Sequence, residues 1–293
     1  MNGTVNGAAN GTVKGAASGA ANGTVNGTAL KVRSWLAFCR LQARAVTVYR
    51  ADYALGLAGL IIQIYLFRVV WVAVYGEHRT VHGVTLPLQI AYSTIVSLQS
   101  WVFMPRASEQ IPQRVREGTV AMDLLRPLGF LHQVIACQVG GTAVLLPFAL
   151  VGLPFAVLAG GAVGPASALA AGEYVIALLV GWAVATLLQA VVGMLAFWTL
   201  EVSGPFMIYT AISQFLAGAL VPLWFMPEWL RETASVLPFQ ASSYAPVAIY
   251  LGRVQGSGAW VLIGQQVGWA VVVWVILRLV WRRVFRRVTI QGG

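Results

Sequence analysis

Six stretches of this chain run for roughly twenty residues each with almost no charge, which leaves the backbone inside them few structural options. They are 54–75, 86–104, 133–158, 174–200, 205–225 and 260–281. A helix must be about 20 apolar residues long to cross a hydrocarbon layer roughly 30 Å thick, and it satisfies all of its own backbone hydrogen bonds. The rest of the composition fits: 58% of residues are hydrophobic and only 10% charged, too few charges to clothe a soluble globule of 293 residues. The expected fold is an all-α membrane protein with six transmembrane helices. The stretch 86–104 is diluted by Gln89, Ser93, Ser97, Gln99 and Ser100.

Basic residues flank these stretches unevenly. Lys14, Lys31, Arg33, Arg40, Arg44 and Arg50 precede the first stretch, Arg106, Arg114, Arg116 and Arg126 separate the second from the third, and Arg278, Arg282, Arg283, Arg286 and Arg287 end the chain. With six crossings all of these share one side, whereas the other side holds Arg79, Arg231 and Arg253. The positive-inside rule then puts both termini in the cytoplasm. The formal net charge of +10 is better matched to anionic membrane lipids of the inner leaflet than to nucleic acid. Cys39 and Cys137 fall near the basic side and read as free thiols.

Residues 1–29 repeat Asn, Gly, Thr, Ala and Val, with too little bulk to bury, and are expected to be a disordered cytoplasmic tail. Residues 30–50 form an amphipathic pattern: Arg33, Arg40 and Arg44 on one stripe, Trp35 and Phe38 on the opposite face. Such a helix anchors in the membrane interface. The loop 105–132 mixes charge with Val115, Val120, Met122, Leu124 and Leu125, which serve either as a docking surface for a protein or as packing against neighbouring spans. On the outer side, 222–258 is apolar but broken by Pro222, Pro227 and Pro238, so it dips into the membrane rather than crossing it, or presents Trp224, Phe225 and Trp229 as an interfacial aromatic belt. Residues 282–293 form a basic cytoplasmic tail.

Catalytic chemistry is sparse. No predicted span contains a His or an Asp, and His78 and His82, though spaced for one helix face, sit in a short glycine-bearing loop. No metal site is expected. A phosphate-binding loop requires G-x-x-x-x-G-K-[ST], and neither Lys14 nor Lys31 has that context, so ATP hydrolysis by this chain is excluded. The acids Asp52, Glu173 and Glu201 fall only at span ends, which argues against a proton relay. Arg68 is the one charge well inside a span; it either snorkels outward or faces a cavity. Neutral polar groups, among them Gln63, Gln89, Tyr92, Ser93, Tyr209 and Gln214, either bond to neighbouring helices or line a weakly charged pathway suited to an amphipathic substrate.

Several segments together resemble the membrane subunit of type-2 ABC exporters, in particular the short six-span permeases encoded beside a separate ATPase. They are Arg50 to Tyr53, Val115-Arg116-Glu117-Gly118-Thr119 with Asp123-Leu124-Leu125-Arg126-Pro127, Leu195 to Thr199, and Pro222 to Pro238 followed by Pro246. The resemblance runs from about Trp35 to Arg287. It implies a cytoplasmic nucleotide-binding ATPase subunit in two copies, with ATP and Mg bound there and no cofactor in this chain, and a second membrane subunit, identical or homologous. It implies ATPase coupling through Arg106, Glu109, Arg114, Arg116, Glu117, Gly118, Asp123, Arg126 and Pro127. A re-entrant hairpin after span five, an outer gate at Trp224, Phe225 and Trp229, and a location in a bacterial inner membrane follow from it as well. The competing expectation is an integral membrane protein without ATP-coupled transport: a gradient-driven carrier, an enzyme or a scaffold.

Overall fold

A computed structural model describes residues 32–41, 50–126, 128–199 and 202–291. The tail 1–29, residues 30–31 and 42–49 of the interfacial segment with Arg44, and Pro127 and Glu201 lie outside the described residues. The described residues form helices joined by short links, with one small hairpin. A short helix α1 (32–41) precedes α2 (Arg50–Tyr75), the hairpin β1 (Thr80–Val81) and β2 (Val84–Thr85), and α3 (Leu86–Val102). Two short helices, α4 (Ala107–Arg116) and α5 (Val120–Leu124), lead to the long α6 (Phe130–Leu158) and α7 (Ala168–Gly193). Then come α8 (Ser203–Leu216), α9 (Glu228–Val236), α10 (Tyr244–Tyr250) and α11 (Ser257–Gln291), with 3-10 turns at Met194–Phe197, Leu223–Phe225 and Pro238–Ser242.

Among the described residues four helices are long and apolar enough to cross a membrane: Ala51–Tyr75, Phe130–Leu158, Ala168–Phe197 and Ser257–Phe285. Of their most apolar windows only 17% to 39% is buried against the rest of the protein. Such helices would pack inward in water, so outward-facing residues such as Ile62, Leu150, Leu179 and Val271 mark lipid as their solvent. The other two expected spans are shorter than the sequence suggested. Helix α3 has 17 residues, and its Gln89, Ser93, Ser97 and Gln99 point into the bundle, which explains why the polar dilution is tolerated. Helix α8 has 14 residues and stops at Leu216 rather than at 225. The reason is local: Gly218 adopts φ +75°, a left-handed conformation that ends a helix, and Pro222 follows. The fourth stretch begins earlier than expected, because Ser167 caps α7 by accepting from the Ala170 N–H at 3.0 Å. The basic C-terminal segment is not a separate tail: α11 continues unbroken to Gln291.

Between α8 and α11 the chain turns back into the bundle as short helices and irregular links. Backbone of this kind has no ladder of its own, so in an apolar setting each free carbonyl needs a protein donor. The neighbouring helices supply neutral amides, phenols and indoles. Gln99 on α3 donates to the carbonyls of Ser242 and Ser243 at 3.3 and 3.2 Å. Gln266 on α11 donates to Ala241 O at 2.9 Å, Gln265 to Ser235 O at 2.6 Å and the Trp269 indole to Val236 O at 2.9 Å. On α3 the Tyr92 hydroxyl donates to Gly218 O at 2.8 Å. Gln265 stands about 12 Å along α11 from Ser257 by helix rise, so these bonds hold the segment well below the end of the bundle.

Close backbone approach lets the segment seat. A Cβ at Gly181 on α7 would overlap the Ala241 carbonyl oxygen, which the side chain of Gln266 also fixes. Gly181→Ala is therefore expected to push the 238–242 turn off α7 and to cost about 2 kcal/mol. Thermal unfolding of the purified protein in detergent would show this as a lowered midpoint, and an unchanged midpoint would mean that the turn is not clamped there.

Candidate functional site

Two features at the basic end of the bundle and in its interior carry chemistry. The first is a platform built on α4 and α5. Helix α4 crosses α7 at Gly193, where a Cβ would come within 3.1 Å of Ala107 O, and the Ser108 hydroxyl donates to Gln189 Oε1 at 2.9 Å. After Arg116 the chain reverses at Gly118, whose φ of +69° favours glycine, and enters α5. Asp123 on α5 is 4% exposed and lies between two guanidinium groups: Arg114 at 3.3 Å and Arg126 at 3.0 Å. Arg114 also donates to Cys137 Sγ at 3.3 Å and lies over the Phe130 ring. Gln133 donates to the backbone carbonyls of Asp123 and Leu128 at 2.8 and 2.6 Å, fixing α5 to the start of α6. Arg106 is likewise turned inward, its Nη1 donating to the Tyr53 hydroxyl at 3.1 Å and its backbone N–H to Gln138 Oε1 at 2.8 Å.

This arrangement divides the residues grouped by sequence into a frame and a face. Arg106, Arg114, Asp123 and Arg126 are tied to the protein itself. Glu109, Arg116, Glu117 and Gly118 are exposed, Glu117 accepting only from Gln113 at 2.8 Å on its own helix. The loop's apolar residues divide in the same way: Val120 is buried and Val115 and Leu124 pack on the core beneath, whereas Met122 and Leu125 are 69% and 87% exposed. Packing against the bundle thus accounts for Val115, Val120 and Leu124 but not for Met122 and Leu125.

The second feature is a cavity of about 340 Å³ enclosed by α3, α7, α8 and the 238–243 turn. Gln63, Tyr209 and Gln214 line it; Arg68, Gln89, Tyr92 and Ser93 do not. Arg68 instead donates to the carbonyl of Ala159, the residue that caps the C-terminal end of α6, where its positive charge complements the negative end of the helix dipole. Gln89 accepts from the Trp224 indole at 3.1 Å, and Ser93 donates to Gln89 O at 3.0 Å. Hydrophobicity alone could not separate these residues from the cavity lining, because what distinguishes them is a partner distant in sequence. Trp182 and Thr210 also line the cavity, and nothing in their local sequence context marks them.

Of the three aromatic residues grouped as a gate, two are packed inside. Trp224 is 8% exposed and meets Tyr92 edge-on at 4.6 Å, and Phe225 stacks on Trp71 at 5.1 Å. Trp229 on α9 is 69% exposed. His82 occupies the turn of the β1–β2 hairpin at φ +49° with its ring edge-on to Phe225, and His78 Nδ1 lies 3.2 Å from Tyr75 O. Helix α1 packs on α6 at Gly140, where a Cβ would lie 2.5 Å from Cys39 O, and the Cys39 thiol donates to Ala136 O at 3.2 Å. Arg33 and Arg40 are exposed, Trp35 is half-buried, and Phe38 lies under the Arg126 guanidinium at 5.2 Å. Glu173, expected at the lip of a span, sits in the second turn of α7 and is 3% exposed.

A family model described as ABC-2 family transporter protein matches residues 60–292, which takes in α3 to α11, the platform and the cavity. The chain belongs to the ABC-2 transporter family. A search of curated proteins finds no match. The chain is thus a multi-pass membrane permease of the ABC-2 type, a membrane component and not itself the ATPase, and its family implies association with an ABC ATPase subunit.

In this permease the inward position of Asp123 separates two kinds of variant. Asp123→Ala leaves Arg114, whose side chain is 17% exposed, without its carboxylate, and is expected to cost about 3 kcal/mol. Glu117→Lys alters only the exposed face and is expected to leave stability within about 0.5 kcal/mol. Unfolding of both variants in detergent measures the contrast; equal losses would refute the division into frame and face.

Proposed function

We propose that this permease is the transmembrane half of an ATP-driven exporter, powered by a separate nucleotide-binding subunit that docks on α4 and α5. The exposed face of the platform carries the reading. Glu109, Arg116 and Glu117 offer charge of both signs, and Met122 and Leu125 offer apolar surface beside it, on a frame that Arg114, Asp123 and Arg126 hold rigid. A rigid mixed patch suits a protein partner better than lipid headgroups, which need only positive charge. Two ATPase copies, binding ATP and Mg, would act on two membrane subunits, and their closure would rock the halves so that the cavity opens outward.

Six crossings with both termini in the cytoplasm support this assembly best. Helix α3 is short by about 5 Å, a mismatch that local thinning of the bilayer accommodates. Tyr92, which bonds the end of α8 through Gly218, lies about 9 Å from the start of α3, so α8 traverses most of the same depth. None of the residues of α8 is buried, and Met207, Ile208 and Ile212 are exposed along it. A second membrane subunit, identical or homologous, is the partner proposed for that face. Helix α1 would lie at the inner interface, with Arg33 and Arg40 toward phosphates. The cargo is an amphipathic molecule, since the cavity combines neutral polar groups with aromatic walls.

Replacing Met122 and Leu125 together by Glu should release the partner without unfolding the permease. Co-purification of the ATPase subunit would fall at least tenfold, as would ATPase activity of the assembled complex. Undiminished co-purification would exclude α4 and α5 as the docking element.

A further inference from the structure

We infer that the cavity between α3, α7 and α8 selects uncharged, ring-bearing molecules that present an acceptor oxygen, with the Trp182 indole N–H as the group that anchors them. This rests on the transport reading above and narrows its cargo to a chemical class.

Three observations converge. First, among the described residues no side chain that lines the cavity carries a formal charge. Charge is present nearby: a smaller cleft of about 260 Å³ on the other side of Trp101 contains Asp52 and Arg106. The main cavity is neutral by contrast, and an ion entering it would leave water without meeting a counter-charge, at a cost of several kcal/mol. Phospholipid headgroups and zwitterionic peptides are therefore poor occupants.

Second, the cavity wall holds buried polar atoms that the protein leaves unpaired. Ser97, Trp182 and Thr210 all line this one space, and Ser97 Oγ, Trp182 Nε1 and Thr210 Oγ1 are buried without a hydrogen-bond partner among the described residues. Elsewhere among the described residues the unpaired buried atoms are single side-chain oxygens, on Gln110, Gln133, Glu173 and Gln266, and none of these residues lines the cavity. The indole can only donate, so its complement must be an acceptor. The two hydroxyls can donate as well, or accept from a ligand hydroxyl. Trp182 stands about 21 Å along α7 from Ala168, at a depth where an unsatisfied donor is most costly. A carbonyl, ether or hydroxyl oxygen of a ligand removes that cost.

Third, the walls are aromatic and suited to flat rings. Phe103 meets Trp182 edge-on at 6.3 Å, and Tyr209 faces Phe239 at 6.4 Å across the α8 side. Trp101 and Phe206 complete the lining. Rings seated here gain offset or edge-on contacts in addition to burial of their apolar area.

The test uses the full chain with its ATPase partner in lipid nanodiscs without nucleotide, and photolabelling by benzophenone, a neutral diaryl ketone with one acceptor oxygen. Analogues bearing a carboxylate or a quaternary ammonium group serve as charged comparisons, and peptide mapping locates the label. Saturable labelling of α7 and α8 at the cavity is expected for benzophenone, with half-saturation at least tenfold higher for both charged analogues. Trp182→Phe keeps the ring and removes the donor; half-saturation should rise about fivefold to tenfold while the unfolding midpoint holds or increases, because an unpaired donor has been deleted. Thr210→Val is a second, nearly isosteric variant expected to shift it less, in the same direction. Equal saturation by the charged analogues, superimposable curves for the parent and Trp182→Phe, or only non-saturable label on lipid-facing helices would each overturn the assignment. Nucleotide takes no part in this measurement, so its failure leaves the ATPase-coupled reading standing, and loss of ATPase docking leaves the binding result intact.

Discussion

Irregular backbone inside an apolar bundle is the constraint on which the rest of this structure depends. The short helices between α8 and α11 expose carbonyls that water cannot reach, and neutral side chains on α3 and α11 meet them one by one. Glutamine suits the task, since its amide can donate to one group and accept from another without charge. Gln99 does both, donating to Ser242 and Ser243 and accepting from the Tyr174 hydroxyl at 3.2 Å. An arginine or lysine there would satisfy the same carbonyls at a far higher desolvation cost.

Charge is handled in the opposite way at the basic end. There a carboxylate is buried, but with two guanidinium partners, a pattern that costs more than apolar packing yet fixes geometry closely. The Arg114–Asp123–Arg126 cluster thus acts as a splint for α4 and α5, both too short to be stable alone. What remains exposed on them is free to differ chemically from what holds them. The cavity and the carbonyls of the returning segment are thus served by amides and aromatic rings, and paired charge is concentrated at the platform.

Much of the helical architecture was legible because apolar length and charge are additive along a chain. The stretches at 54–75 and 133–158 needed no tertiary information, and Pro222 to Pro238 announced a broken segment. The ends of helices were less legible: α8 stops at Leu216 because Gly218 turns left-handed and its carbonyl meets Tyr92, a contact across 126 residues. The same limit applied to the polar residues. Gln89 and Gln63 look alike in sequence, yet one holds the Trp224 indole and the other lines the cavity. Asp123 looked like a surface acid in a charged loop, and only the approach of Arg114 and Arg126 shows that it faces inward. Composition reports how many polar groups a membrane protein buries, and the fold decides which of them stay unpaired.

Helix α11 joins the two halves through a single rod. It carries Gln265, Gln266 and Trp269 against the returning segment, and further along Trp281 stacks on Phe130 at 4.8 Å, the ring that Arg114 of the splint covers. Its 35 residues make it about 52 Å long, well beyond the thickness of a bilayer. A stiff member held about a quarter of the way along behaves as a lever. A tilt of about 5° pivoting at Gln266 would swing its far end by about 3 Å, so a small displacement beneath the platform and a small displacement of the inserted segment are two readings of one rotation.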